Sequence, residues 1–166
     1  MELRTFKGGI HPPHNKRYTE AKAVERAESP KIVSIPLQQH IGAPCQPLVQ
    51  AGDVVKVGQK IGDSEAFVSA PVHSSVSGTV KQIVEKETPT GQALCVVIES
   101  DGNNEIDESV KPKPDIETLS KDEILKIIRE AGITGMGGAT FPTHVKLSPP
   151  PDKEIDAFIL NGAECE

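Results

Sequence analysis

Between positions 31 and 100 the chain is a succession of short β-branched runs cut apart by turn residues, which leaves little length for helices. Ile32-Val33-Ser34-Ile35 is the first run, and Asp53-Val54-Val55-Lys56-Val57, bounded by Gly52 and Gly58, is the second. Phe67-Val68 with Ala70 comes next, then Val72, Val76, Thr79-Val80 and Ile83-Val84. Ala93-Leu94-Cys95-Val96-Val97-Ile98-Glu99 closes the series. Strands recurring every 8 to 12 residues or so, with glycine turns between them, predict an all-β unit. The last run also holds the longest uninterrupted apolar stretch of the chain, far short of the ~18 residues a spanning helix requires.

Eighteen basic residues stand against twenty-four acidic ones, a net charge of −6. A nucleic-acid footprint needs clustered cations, and base stacking needs aromatic platforms. Aromatic residues are 3% of this chain, so the sequence argues against nucleic acid as a partner. Met1-Glu2-Leu3-Arg4 opens the chain without an apolar signal region. Cys45, Cys95 and Cys165 form no pair at metal-site spacing, and their odd number suits free thiols in a reducing compartment. The expectation is a cytoplasmic chain with no metal site of its own. His11 and His14, beside prolines, read as surface imidazoles, while His40 and His73 read as fixing turns of the β unit.

The punctuation divides the chain into four parts. Residues 1–30 are polar, carry Gly8-Gly9 and His11-Pro12-Pro13-His14, and have no sustained period, which predicts an arm. Residues 31–100 are the β unit. Residues 101–118 form a polar linker punctuated by Lys111-Pro112-Lys113-Pro114. Residues 119–166 begin a second domain with a helix over 121–131. There Ser120 and Glu123 have the spacing of a capping box, and Leu119 and Ile124 that of a hydrophobic staple. Ile124, Leu125, Ile127, Ile128 and Ala131 make an apolar stripe at helical spacing. Gly132 is placed to end the helix in the left-handed conformation.

A glycine-rich stretch follows: Gly132-Ile133-Thr134-Gly135-Met136-Gly137-Gly138-Ala139-Thr140-Phe141-Pro142-Thr143. Without β-carbons, backbone N–H groups come close to a ligand and converge on an anion. Pro142 reads as the first-turn residue of a short second helix, with Thr140 or Phe141 at its cap, and Lys146 could add a cation. Many such loops are only turns, and the spacing fits neither the dinucleotide fingerprint nor the phosphate-binding loop. The apolar 155–160 run reads as a strand inside an α/β layer. Ligands of such sheets bind beyond the carboxyl ends of strands, where Asn161 and Glu164 stand. A chain ending on such a loop is expected to be part of a longer protein.

Two resemblances sharpen this reading. Ala51-Gly52-Asp53-Val54 with Ser77-Gly78-Thr79-Val80 resembles the two halves of the barrel-sandwich hybrid fold of biotinyl and lipoyl carrier domains. A carrier needs a lysine at the hairpin tip between the halves. The corresponding Asp63-Ser64-Glu65-Ala66-Phe67-Val68-Ser69 has none, which favours a scaffold or interaction domain over a carrier. Further on, Gly-x-Gly-Gly-Ala-x-Phe-Pro-Thr-x-x-Lys followed by Asn-Gly-x-Glu-x-Glu resembles the flavin- and NADH-binding start of the flavin-bearing subunit of respiratory complex I.

Phe6-Lys7-Gly8-Gly9-Ile10-His11-Pro12-Pro13-His14-Asn15-Lys16 and Ile35-Pro36-Leu37-Gln38-Gln39-His40-Ile41-Gly42-Ala43-Pro44 point to one relative. They resemble the RnfC family, the C subunits of the Rnf ion-translocating ferredoxin:NAD oxidoreductases, and the likeness covers residues 6–166. It implies an α+β chain: an all-β barrel-sandwich hybrid domain, then the truncated start of a Rossmann-like α/β flavin domain. It also implies electron exchange between ferredoxin and NAD through FMN, coupled to ion transport by membrane subunits of the Rnf complex. The chain would then sit peripherally on the cytoplasmic face of the cell membrane, with 4Fe-4S clusters only in a C-terminal part beyond residue 166. Carried onto matching positions, Gly135, Gly137, Gly138, Ala139, Lys146, Asn161 and Glu164 would contact FMN. Phe141 would stack on the nicotinamide of NAD(H), and Glu166 would contact the dinucleotide. Met136 stands where the complex I relatives carry arginine, so this loop has one positive charge fewer. The alternatives are a subunit-docking module, or a related electron-transfer protein serving a soluble reductase.

Overall fold

A computed structural model of the chain describes residue 8 and residues 13–89, 91–112, 115–136 and 140–159. The chain divides into two compact units, Ser29–Glu154 and a smaller one of Met1–Glu28 with Ile155–Glu166.

In the larger unit, β1 (Ile32–Pro36), β2 (Gln46–Pro47), β3 (Val54–Val55), β4 (Lys60–Asp63), β5 (Val72–His73), β6 (Gly78–Thr88) and β7 (Gly91–Ser100) form two antiparallel sheets. One has the order β1-β7-β6-β3 and the other β2-β4-β5. Their inner faces meet in a core of Ile35, Leu37, Cys45, Val55, Ile61, Val72, Val76, Val80, Val96 and Ile98. Fully burying an aliphatic side chain contributes roughly 1.5–3 kcal/mol, which lets this core dispense with aromatic residues. The two runs read around Thr79 and Ile83 form a single long strand, β6, with a register shift between Val80 and Gln82. Phe67-Val68 forms no strand; it belongs to the tip joining β4 to β5.

The first half of the stretch read as a linker is fastened to the β unit. Val57 pairs in parallel with Ile106, its N–H donating to the Glu105 carbonyl at 2.8 Å and its carbonyl accepting from Asp107 at 2.9 Å. Ser77 Oγ donates to Asp101 at 2.6 Å and accepts from the Glu105 N–H at 3.0 Å.

Helix α1 (Lys121–Glu130) begins on the anticipated capping box. The Glu123 N–H donates to Ser120 Oγ at 3.3 Å, and the Ser120 N–H donates to the Glu123 carboxylate at 2.8 Å. At its end the Gly132 N–H donates to the Arg129 carbonyl at 2.8 Å and the Ile133 N–H to the Ile128 carbonyl at 3.3 Å. Those two bonds are a Schellman closure. Gly132 adopts φ 69°, as that closure requires.

Helix α2 (Thr143–Lys146) differs from expectation in its start: Pro142 is the cap rather than a first-turn residue, and no side chain caps it. The cause is the bridge between Thr134 and Pro142, which holds Pro142 extended at ψ 125°.

In the smaller unit, a 3-10 turn at Lys16–Tyr18 carries the Arg17 guanidinium over the Tyr18 ring. The strand read over 155–160 is not formed across its described part: residues 155–159 are exposed and have no ladder partner among the described residues. A strand without neighbours gives its apolar side chains nothing to pack against. Residue 160 lies outside the described residues.

Candidate functional site

Between α1 and α2 the two ends of the glycine stretch pair antiparallel, Thr134 against Pro142, as a hairpin. Its neck is closed by the Thr143 N–H donating to the Ile133 carbonyl at 3.0 Å and the Gly135 N–H donating to the Phe141 carbonyl at 2.9 Å. Gly135 therefore offers a ligand its bare Cα rather than a free N–H. Just beyond the neck, Met136 is 98% exposed. Thr140 sits at φ 49°, a conformation that costs a β-branched residue about 1–3 kcal/mol.

Lys146 projects from α2 back across this hairpin. Its Nζ lies 2.9 Å from where a β-carbon on Gly135 would stand. Among the described residues no carboxylate pairs with it. Of the anticipated site residues, the structure thus brings Gly135, Phe141 and Lys146 together. Gly137, Gly138, Ala139, Asn161, Glu164 and Glu166 lie outside the described residues.

The hairpin stands on the β unit through contacts that the sequence did not announce. Arg129, in the last turn of α1, donates to Asp63 Oδ1 at 2.9 Å and to the Ser64 carbonyl at 2.6 Å. Lys60 bridges Asp63 and Glu130, and Arg129 also pairs with Glu130 at 2.7 Å. Burial opposes the Asp63 charge, but hydrogen bonds from Lys60 and Arg129 outweigh it and hold the carboxyl below the usual range. The Lys60 hydrogen bond, against some burial, does the same for Glu130.

Gly132 lies so close to the end of the β4–β5 tip that a β-carbon there would stand 2.5 Å from the Pro71 carbonyl oxygen. His73 lies under it, and burial and then the Lys60 charge press the imidazole below its ordinary value. On α2, buried His144 donates from Nε2 to the Phe67 carbonyl at 3.1 Å. No spacing marks Arg129 or His144 as contacts, because their partners are 66 and 77 residues away.

His40 fixes a turn, as read: its ring nitrogens lie 3.0 Å from the Ile41 carbonyl and 3.0 Å from the Ala70 N–H. Cys45 and Cys95 are free and buried, and burial pushes the Cys45 thiol up. A cavity of about 510 Å³ opens between the 109–111 strap and α1, with Gly58, Lys60, His73 and Glu130 in its wall. None of the anticipated site residues lines it. Among the described residues no helix is long and apolar enough to cross a membrane.

Two antiparallel sheets facing each other across one aliphatic core define a barrel-sandwich hybrid protein, here carrying a glycine hairpin under a cation that no described carboxylate pairs. Residues 4–103 match the family described as RnfC Barrel sandwich hybrid domain, and residues 128–166 match that described as Nuo51 FMN-binding domain. The chain belongs to the RnfC family.

It is 52% identical over 163 residues to the C subunit of a Na(+)-translocating ferredoxin:NAD(+) oxidoreductase complex of Acetobacterium woodii, covering 98% of this chain and 37% of that one. It is 54% identical over 165 residues to the C subunit of a proton-translocating ferredoxin:NAD(+) oxidoreductase complex of Clostridium ljungdahlii, covering 99% and 36%. The C subunit of an ion-translocating oxidoreductase complex of Pseudomonas aeruginosa is 41% identical over 167 residues, covering 99% and 21%. The chain spans little more than a third of the length of the first two.

Proposed function

We propose that this chain is the N-terminal part of an Rnf C subunit that passes electrons between ferredoxin and NAD through FMN and iron–sulfur clusters, coupled to ion translocation. On this reading residues 1–30 are an arm, 31–100 the barrel-sandwich domain, 101–118 a connector and 119–166 the start of the flavin domain. Other Rnf subunits are its membrane partners, and the chain lies peripherally on the cytoplasmic face.

The observation that carries the reading is Lys146 Nζ, free of any described carboxylate, lying over the bare Cα of Gly135 in the segment that matches a flavin-binding family. A cradle of that kind suits a nucleotide phosphate, since a charge-assisted contact to phosphate is stronger than a neutral one. FMN therefore fits the residues present.

Gly135 and Lys146, with Gly137, Gly138, Ala139, Asn161 and Glu164, would hold it; Phe141 would stack on the nicotinamide and Glu166 would contact the dinucleotide. When bound, the flavin supplies the hydride exchange with NAD(H). The residues of this chain would bind and orient the nucleotide, with Lys146 the cation available to its phosphate.

The test is flavin retention by the full-length protein. Once purified, it should carry FMN or take it up with quenching of flavin fluorescence, and Gly138→Val should weaken uptake. A full-length protein that neither carries nor quenches FMN defeats the reading.

A further inference from the structure

We infer that the β4–β5 tip is the mount of the glycine hairpin, and that His144 is the residue that positions it, through its Nε2 bond to the Phe67 carbonyl. The inference rests on the reading that this hairpin holds a nucleotide, and it assigns the β unit a part in that binding.

Phe67 belongs to the tip, and its carbonyl can only accept, so Nε2 must carry the hydrogen. His144 is 6% exposed, so water competes little for the bond. The neighbours of His144 give the bond its leverage. Thr143, one residue before it, makes one of the two neck bonds of the hairpin, and Lys146, two residues after it, lies over Gly135. A contact at position 144 therefore sets both the neck and the cation.

The Phe67 ring meets the imidazole edge-on at 6.1 Å, which fixes the ring plane. Nδ1 is buried and has no hydrogen-bond partner among the described residues. A nitrogen left unpaired in a dry place is costly, so a side chain there for packing alone would do better without one; the Nε2 bond is what gives an imidazole its use. On the α1 side of the hairpin, Arg129 makes the matching contact to the Ser64 carbonyl. The hairpin is thus pinned before and after to two carbonyls of the same tip.

The experiment compares amide hydrogen exchange in the full chain for wild type, His144→Leu, His144→Gln and His144→Asn. The glutamine amide nitrogen reaches about as far as Nε2, whereas that of asparagine lies nearer Nδ1. His144→Leu should speed exchange of the Gly135 and Thr143 amides about tenfold, with the β7 amides unchanged. His144→Gln should restore most of the protection and His144→Asn should not. If the leucine variant also loosens β7, the glutamine and asparagine pair decides alone. Neck amides protected as in wild type in His144→Leu, or rescued equally by asparagine and glutamine, would overturn the proposal. FMN uptake by the full-length wild type is measured separately: its failure defeats the nucleotide reading, while the exchange rates still decide the mount.

Discussion

Asp63 and Arg129 are 66 residues apart in the chain and 2.9 Å apart in space, Oδ1 to Nη2. Lys60 takes the other oxygen of Asp63 at 2.9 Å and reaches Glu130, whose second oxygen returns to Arg129 at 2.7 Å. The four charges therefore form a closed ring in which each has two opposite neighbours. All four side chains are 23–40% exposed, so water screens them only in part. The ring joins the last turn of α1 to β4, directly below the point where the glycine hairpin begins.

Breaking the ring at one member should leave a half-buried charge unmatched. Asp63→Asn is expected to lower unfolding free energy by about 1–3 kcal/mol, read from urea denaturation. Arg129→Met should cost a similar amount. Because the two share one contact, the double variant should cost less than the sum by roughly 0.5 kcal/mol or more. Strictly additive losses would mean that the two side chains do not interact in solution.

Acid should loosen the same junction in two stages. His73 is held below its ordinary value by burial, so the unfolded chain binds its proton first as pH falls. Stability from keeping it unprotonated is complete above about pH 6.5 and is lost as pH drops through the lower folded value. Asp63 and Glu130 are also depressed, so their share is complete above about pH 4.5 and is lost below that. Urea midpoints measured across this range should fall in both windows. His73→Phe should flatten the upper one, and Asp63→Asn with Glu130→Gln the lower.

What the sequence made legible was whatever is encoded within a few residues. The Ser120–Glu123 box and the Gly132 closure are local, and both formed as read. So did β1 and β7, whose β-branched runs need only the pleat to sort them. The shift between Val80 and Gln82 broke the alternation in β6, so one strand read as two. Lys60-Ile61-Gly62-Asp63 gave no strand signal because glycine and two charges occupy it, yet those charges make the ring. At position 142 a pairing to Thr134, which no local pattern announces, overrides proline's preference for the first turn. Of the site, the glycines and Lys146 were visible as a motif; Arg129 and His144 were not, because tertiary distance alone gives them partners.

Gly132 should tolerate no side chain. Its φ of 69° suits glycine, and an added β-carbon would meet the Pro71 carbonyl oxygen at 2.5 Å. Gly132→Ala is expected to cost about 2–4 kcal/mol, more than the ~1 kcal/mol for Ser120→Ala at the other end of α1. Thermal or urea unfolding of the two variants gives the comparison. Equal losses would show that the helix end is not pressed against the tip.

Lys146 supplies the prediction closest to function. If its ammonium faces a phosphate, removing the charge should weaken binding of FMN but hardly touch riboflavin, which has the same ring system and no phosphate. Lys146→Gln in the full-length protein should lose about tenfold or more in FMN affinity, in keeping with a charge-assisted bond. Lys146→Arg should retain most of it, since charge rather than shape is what the bare Gly135 leaves room for. Fluorescence titrations with both flavins at low and moderate salt separate the possibilities. The wild-type preference for FMN should shrink as salt rises, because Lys146 is exposed and its field is screened. A glutamine variant that still prefers FMN as strongly as wild type would place the phosphate elsewhere in the chain.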